Sequence, residues 1–170
     1  MIHLYTGNGQ GKTSAATGLA VRCAGSGGRV AFVQFLKSMP SGEIAVLESI
    51  PRVSVLRNRE AHGFSIDMTA EQKQRVCASH NENLEKAQAM ISHGAITLLV
   101  LDELCAAYSL DLIDRAAVDS LIQGVGDVEL IITGRDAPQS FLDAADYITD
   151  MLCIRHPYER GMAARRGVEF

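Results

Sequence analysis

Residues 2–23 read IHLYTGNGQGKTSAATGLAVRC, and this stretch decides the fold class. A short apolar segment, Ile2–Tyr5, is followed by the glycine-rich turn TGNGQGKT and then by a segment of helical composition from Lys12 onward. A strand, a glycine-rich turn and a helix in this order form the context of a phosphate-binding loop. Glycines let backbone N–H groups line an anion site, and the helix N-terminus adds a partial positive charge. We therefore predict that this turn binds the phosphates of a nucleotide.

The loop is one residue shorter than usual. Only Asn8, Gly9 and Gln10 separate Gly7 from Gly11, whereas the usual spacing has four residues at this point. All three glycines can adopt a positive φ, so the backbone is free to turn its N–H groups inward. The spacing alone leaves open whether this is a degraded loop or one built to hold a triphosphate differently.

Four side chains are predicted to bind the phosphates or the Mg²⁺ that accompanies them. Lys12 supplies a full positive charge to phosphate oxygens, and the Thr13 hydroxyl is predicted to bind Mg²⁺. A second apolar segment, ITLLVLDEL, ends in Asp102 and Glu103, which is typical of a Walker B element. Because the carboxyl ends of parallel strands meet at one edge of a sheet, these carboxylates are expected to reach the same Mg²⁺.

The rest of the chain alternates short apolar runs with longer helical stretches, and no internal repeat or linker interrupts it. Continuous apolar runs such as TLLVL suit strands buried on both faces. The predicted strands are Ile2–Tyr5, Val30–Phe35, Val53–Leu56, Thr97–Leu101, Leu130–Thr133 and Tyr147–Ile154. The predicted helices are Lys12–Cys23, Ile44–Ser49, Ala70–Ser92 (capped by Thr69), Asp114–Gln123 and Gln139–Ala144. This order predicts one α/β domain over residues 1–170, a three-layer αβα fold with a mostly parallel sheet.

Composition narrows the function classes. The chain is 47% hydrophobic with a net charge of −4, which argues against nucleic acid or an anionic membrane as a partner. No apolar run is long enough to span a bilayer, and no signal-peptide core is visible. The four cysteines (Cys23, Cys77, Cys105 and Cys153) lack CxxC spacing, so we expect reduced thiols in a cytoplasmic protein rather than a zinc site.

Together these segments resemble the ATP:cob(I)alamin (corrinoid) adenosyltransferases of the CobA/BtuR type, which have a P-loop NTPase (RecA-like) fold. TGNGQGKTSAA is similar to that family's TGNGKGKTTAA, and the likeness continues through VAFVQFLK, SGE, GF, LLVLDEL and IITGRDAP. It closes with IRHPYERGMAARRGVEF, which resembles the family's final segment. The resemblance runs in order over nearly the whole chain.

The resemblance implies that the short loop holds ATP in reversed polarity, so that the ribose C5′ faces a Co(I) corrinoid and triphosphate leaves. It also implies a homodimer, and an electron donor such as a flavodoxin-like or other reductase. Carried over by position, Thr13 and Glu103 hold Mg²⁺ with Asp102 close by, and Phe64 packs against the lower face of the corrin. Lys12, Thr13 and Glu103 are then the catalytic set, and the substrate-binding residues are Gly7, Asn8 (toward the nucleoside), Gly9, Gln10, Gly11, Lys12, Thr13, Ser14, Arg22, Phe64 and Arg135.

Several positions depart from the family's pattern. Gln10 replaces a Lys and Ser14 a Thr, which leaves the loop chemistry intact. On the corrinoid side, Ile66 stands where Trp is common. Cys105 and Ala106 replace a polar and aromatic pair, and near the end Ala163 and Arg165 replace a Lys and a Gln. ATP binding is therefore more strongly indicated than the usual corrinoid cleft.

Three other functions fit parts of the sequence. A P-loop kinase or NTPase acting at the γ-phosphate shares the loop and the DE strand end, although thymidine kinases typically carry paired zinc cysteines. A divergent, non-catalytic paralogue could bind ATP or a corrinoid as a sensor or carrier. A RecA-type DNA motor is disfavoured by the acidic charge.

Overall fold

The computed structural model describes residues 1–37, 41–58 and 68–168. Six strands lie in one sheet: β1 (Ile2–Thr6), β2 (Val30–Gln34), β3 (Val53–Arg57), β4 (Leu98–Asp102), β5 (Glu129–Thr133) and β6 (Tyr147–Asp150). The helices are α1 (Lys12–Gly25), α2 (Gly42–Ser49), α3 (Ala70–Ser92), α4 (Leu104–Ser109), α5 (Arg115–Gln123) and α6 (Gln139–Ala144), followed by a short 3₁₀ helix (Pro157–Arg160).

The strands pair in the order β3-β2-β4-β5-β1-β6, and every pairing is parallel. All residues of the central strands β2 and β4 are buried, as their unbroken apolar sequences require. β6 is an edge strand with all four residues exposed. Because every strand runs the same way, the carboxyl ends of β1, β2, β4 and β5 open onto one edge of the sheet.

Helices cover both faces of this sheet. On one face, α1 and α2 pack through Ala16, Ala20 and Leu47 against Phe32 and Val100. On the other, α3 to α6 pack against the alternate residues of the same strands, in a core that contains Leu84, Leu99, Leu104, Val118 and Phe141. The predicted three-layer α/β fold is therefore confirmed, with a sheet that is wholly parallel among the described residues.

The long helix α3 starts where its sequence predicts. Thr69 adopts an extended conformation, and its hydroxyl accepts a hydrogen bond from the Gln72 backbone N–H. The Gln72 side chain in turn accepts one from the Thr69 N–H. This reciprocal capping box satisfies two backbone donors that a helix start would otherwise leave unpaired.

One predicted boundary is wrong, and one helix was missed. β6 ends at Asp150 rather than Ile154, because the next residues turn their backbone toward the loop after β1 instead of pairing along the sheet. Helix α4 was not predicted; it begins directly after Glu103, whose left-handed φ of 61° turns the chain out of β4. The other predicted elements lie within a few residues of their observed bounds. No helix in the described residues is long and apolar enough to cross a membrane.

Candidate active site

The glycine-rich loop joins β1 to α1 at the carboxyl edge of the sheet. Gly7 (φ 94°) and Gly11 (φ 108°) occupy the left-handed region that glycine tolerates best. Lys12 lies almost wholly buried at the start of α1, and its Nζ donates to the carbonyl oxygens of Gly7 (2.6 Å) and Gly9 (2.7 Å). The lysine thereby closes the loop into a ring with its cation at the centre.

Residues 151–153, which follow β6, pack against the back of this loop and form a segment that we call the brace. The Gly9 N–H donates to the Met151 carbonyl at 2.6 Å, and the Cys153 N–H donates to Asn8 Oδ1 at 2.9 Å. A Cβ on Gly9 would lie 2.6 Å from the Met151 carbonyl oxygen, and one on Gly7 would collide with the Asp150 carboxylate. Both glycines are therefore required by close approach of another backbone.

This contact bears on two residues of the sequence interpretation and corrects the expectation for one of them, Gly9. Gly9 does not have a positive φ. Its N–H donates a hydrogen bond to the Met151 carbonyl and so is not turned toward an anion. Asn8 directs its side-chain oxygen at the brace, so its contact with a nucleoside stays a prediction. The anion-facing groups that remain are the start of α1 and the side chains around it.

Asp102 is the buried centre of a polar cluster at the end of β4. Its carboxylate is fully buried and accepts hydrogen bonds from Thr13 Oγ1 (2.9 Å), Thr133 Oγ1 (2.8 Å) and Gln34 Nε2 (3.1 Å). Thr133 also accepts from the Glu103 backbone N–H at 2.9 Å, which holds the left-handed turn after the strand. As predicted, Thr13, Asp102 and Glu103 lie together at the carboxyl edge of the sheet.

Lys37 completes the cluster with a positive charge. Its Nζ lies 3.0 Å from Thr13 Oγ1, 3.3 Å from Asp102 Oδ2 and 3.5 Å from Glu103 Oε1. Burial by itself would lower the pKa of Lys37, but the two carboxylates outweigh it and raise the pKa above its ordinary value. The residue is therefore a cation held among three oxygen acceptors.

These groups border an open cleft of about 870 Å³. The described residues that line it are Gly9, Gln10, Gly11, Lys12, Thr13, Ser14, Thr17, Gly18, Lys37, Gly42, Glu43, Glu103, Arg135, Gly167 and Val168. Burial lowers the pKa of Lys12, and the positive charges of Arg135 and Lys37 lower it further. Three cations crowded at one end of a cleft make a site suited to a polyanion.

The other predicted residues divide by position. Gln10, Ser14 and Arg135 line the cleft. Arg22 lies exposed in the last turn of α1 and is not among the described lining residues, so its contact with nucleotide stays a prediction. Phe64 and Ile66 lie outside the described residues.

The residues that depart from the family's pattern also divide by position. Cys105 is fully buried against Gly134, and burial, followed by the nearby Glu103 charge, raises the pKa of its thiol to about 12. Ala106 is half-buried in α4, next to it. Ala163 is exposed beyond the 3₁₀ helix, whose first turn His156 caps by accepting from the Tyr158 N–H. The thiol therefore belongs to the packing beneath the cleft rather than to its open surface.

Gln34, Lys37, Thr133 and the Met151 carbonyl are site groups that the sequence interpretation missed. A usable signal existed for Gln34, which ends β2 and pairs in register with Asp102 of β4. Thr133 likewise ends β5, beside the loop strand. Because the carboxyl ends of all parallel strands lie at one edge, Gln34 and Thr133 could have been predicted in the same way as Asp102.

Comparison with known proteins identifies the family. The whole chain, residues 1–170, matches the family described as ATP:corrinoid adenosyltransferase BtuR/CobO/CobP. It is 32% identical to the corrinoid adenosyltransferase of Pseudomonas aeruginosa, with all of this chain and 83% of that protein covered. Its identity to the corrinoid adenosyltransferase of Escherichia coli K12 and to corrinoid adenosyltransferase CobA of Salmonella typhimurium is 31%, with all of this chain and 85% of each relative covered. With its parallel α/β fold and this loop, the chain belongs to the ATP:corrinoid adenosyltransferase family.

Proposed function

We propose that this protein transfers the 5′-deoxyadenosyl group of ATP to the cobalt of a reduced corrinoid and releases triphosphate. The observation that carries the proposal is the shortened loop itself, closed around Lys12 and set beside the Asp102 cluster at the cleft. Family membership over the entire chain supports the same reaction. ATP in this proposal lies with its polyphosphate on the loop and its ribose C5′ toward the open cleft.

The reaction asks little acid–base chemistry of the protein. Co(I) in the corrinoid substrate is itself the nucleophile; it gives an electron pair to C5′, the C5′–O bond breaks, and triphosphate leaves with the bonding electrons. Catalysis then consists of aligning cobalt with C5′ and stabilising charge on the leaving group. Lys12 and Arg135 are placed for the second task, since both line the cleft.

Lys12 must change partners to do this. In the structure its ammonium is bonded to two loop carbonyls, which are neutral acceptors. Phosphate oxygens carry full charge and make stronger, charge-assisted hydrogen bonds. Binding of ATP is therefore expected to shift the ammonium from the loop carbonyls toward the triphosphate.

We propose that Thr13, Asp102 and Glu103 hold the Mg²⁺ that accompanies ATP. The fit rests on their chemistry: a hydroxyl and two carboxylates are hard oxygen donors, and a lysine ammonium already lies among them. Two carboxylates suffice, because Mg²⁺ in phosphate sites takes its remaining ligands from substrate and water. When bound, the ion neutralises charge on the polyphosphate.

The remaining elements of the proposal come from the family resemblance. Phe64 contacts the lower face of the corrin, and Arg22 and Asn8 contact the nucleotide. The enzyme is a single cytoplasmic domain that forms a homodimer and receives electrons from a flavodoxin-like or other reductase. These elements are open to test independently of the nucleotide site.

A direct assay separates this function from its alternatives. The protein is incubated anaerobically with ATP, Mg²⁺ and chemically reduced cobalamin, while the spectrum is followed for formation of the carbon–cobalt bond. We expect adenosylcobalamin and triphosphate in equal amounts. ADP and phosphate as products would instead indicate a kinase or ATPase, and binding of both ligands without any product would indicate a sensor or carrier.

A further inference from the structure

Lys37 is aimed into the acidic cluster by a strained turn. Leu36, a non-glycine residue, has a φ of 61°, and the Lys37 N–H donates to the Phe35 carbonyl at 2.7 Å across it. A three-residue turn of this hand is rare and costs conformational energy. Such a conformation persists only where the surroundings hold it.

Neighbouring elements supply that hold. The Leu36 N–H donates to Nε2 of the buried His80 at 3.3 Å, and His80 Nδ1 bonds the Leu112 carbonyl at 2.9 Å. Arg57 Nη2 donates to the Lys37 carbonyl at 3.0 Å. The turn is thus tied to α3, to β3 and to the chain after α4, so the direction of the Lys37 side chain is set by the fold.

We propose that the Lys37 ammonium occupies the cation site formed by Thr13, Asp102 and Glu103, and that a divalent metal must displace it to bind there. The inference rests on the proposed function in one respect, that this cluster is where the metal of MgATP binds.

The charges explain why both cations cannot share the site. Lys37 Nζ is within 3.5 Å of all three donor groups, so a metal bound to the same oxygens would face a positive charge at close range. The Lys37 ammonium therefore neutralises charge on the two carboxylates without a bound metal. A polyphosphate adds several negative charges, which provide the displaced ammonium with new acceptors. The protein is consequently expected to bind free metal weakly and the metal–nucleotide pair well.

The test measures binding of Mn²⁺ alone, by the loss of its free EPR signal, to nucleotide-free protein. We expect Lys37→Met to bind Mn²⁺ at least roughly tenfold more tightly than wild type, because a competing charge is removed. Lys86→Met is the matched control, since Lys86 pairs with Glu82 on the exposed face of α3, and its Mn²⁺ affinity should equal that of wild type. Equal or weaker binding by Lys37→Met would overturn the proposal.

A second measurement uses wild-type protein and so does not depend on folding of the variant. Lysine acetylation by an amine-reactive ester is mapped by mass spectrometry with and without saturating Mg²⁺. Labelling of Lys37 should rise at least threefold as the metal frees its ammonium, while exposed Lys73 and Lys86 stay constant. Unchanged labelling of Lys37 under conditions where the metal binds would also overturn the inference.

The two proposals fail in different ways. If wild type binds Mn²⁺ with ATP and Asp102→Asn loses this binding, the metal assignment stands whatever Lys37 does. If wild type with ATP binds no Mn²⁺, both the metal assignment and the role of Lys37 are wrong, although adenosyl transfer itself remains measurable by the cobalamin assay.

Discussion

Gly9 donates its backbone N–H to the carbonyl oxygen of Met151 at 2.6 Å, so residues far apart in the sequence together form the back of the phosphate loop. Beside this bond, the Cys153 N–H donates to the Asn8 side chain. The loop spans its distance with one residue fewer than usual and rests against a second backbone. We attribute the unusual spacing to this brace, which an extra loop residue would displace.

Gly9→Ala should therefore disrupt the loop. The added Cβ would lie 2.6 Å from the Met151 carbonyl oxygen and 2.8 Å from Leu152 backbone atoms, so one of the two segments must move. We expect a loss of roughly 1–3 kcal/mol in the free energy of unfolding and a large loss of ATP affinity, measured by denaturant unfolding and calorimetry. Gly18→Ala is the stability control: its Cβ meets nothing within 4 Å in helix α1 and should stabilise by about 0.5–1 kcal/mol. Unchanged stability in Gly9→Ala would contradict the brace.

Lys12→Ala should abolish turnover while leaving the fold intact. The ammonium is the one charge enclosed by the loop, and its loss removes stabilisation of the departing triphosphate. By analogy with removal of a single oxyanion donor, kcat should fall by at least about 10²-fold. Steady-state kinetics with reduced cobalamin measures this, with circular dichroism to check folding. Full activity in the variant would show that the loop does not bind the triphosphate.

Thr133→Val should weaken the acidic cluster indirectly. Its hydroxyl donates to Asp102 and accepts from the Glu103 N–H, so valine removes one of the hydrogen bonds to Asp102 and leaves the Glu103 N–H without its acceptor. We expect a loss of about 1–3 kcal/mol in stability and a several-fold rise in the Mg²⁺ concentration needed for half-maximal activity. Thr149→Val on the exposed edge strand β6 is the matched control and should change neither quantity. If the two variants behave alike, Thr133 does not organise the carboxylates.

Cys105 should resist alkylation over the usual pH range. Burial raises the pKa of its thiol to about 12, so the reactive thiolate is scarce until pH approaches that value. Iodoacetamide at pH 9 should therefore leave Cys105 unmodified while it labels the half-buried Cys23, Cys77 and Cys153. Peptide mass mapping of the native protein measures this, with guanidinium-unfolded protein as the positive control. Labelling of Cys105 at a rate like that of the others would mean that α4 opens readily.

Local sequence patterns were sufficient to predict much of the fold and part of the candidate site. Strand, glycine turn, Lys-Thr and helix are contiguous over residues 2–25, and the continuous apolar runs of β2 and β4 form fully buried parallel strands. The rule that parallel strands end at one edge then brought Thr13 and Asp102 together, now 2.9 Å apart.

Contacts between segments that are distant in the sequence could be identified only from the folded structure. No local pattern reveals that the backbone after β6 contacts the loop at Gly9, or that Leu36 turns left-handed so that Lys37 lies among Thr13, Asp102 and Glu103. Periodicity and spacing describe a residue's own element, since they arise from the geometry of that element alone. Which backbone approaches a glycine, and which cation neutralises a buried carboxylate, depend on how the elements pack in three dimensions.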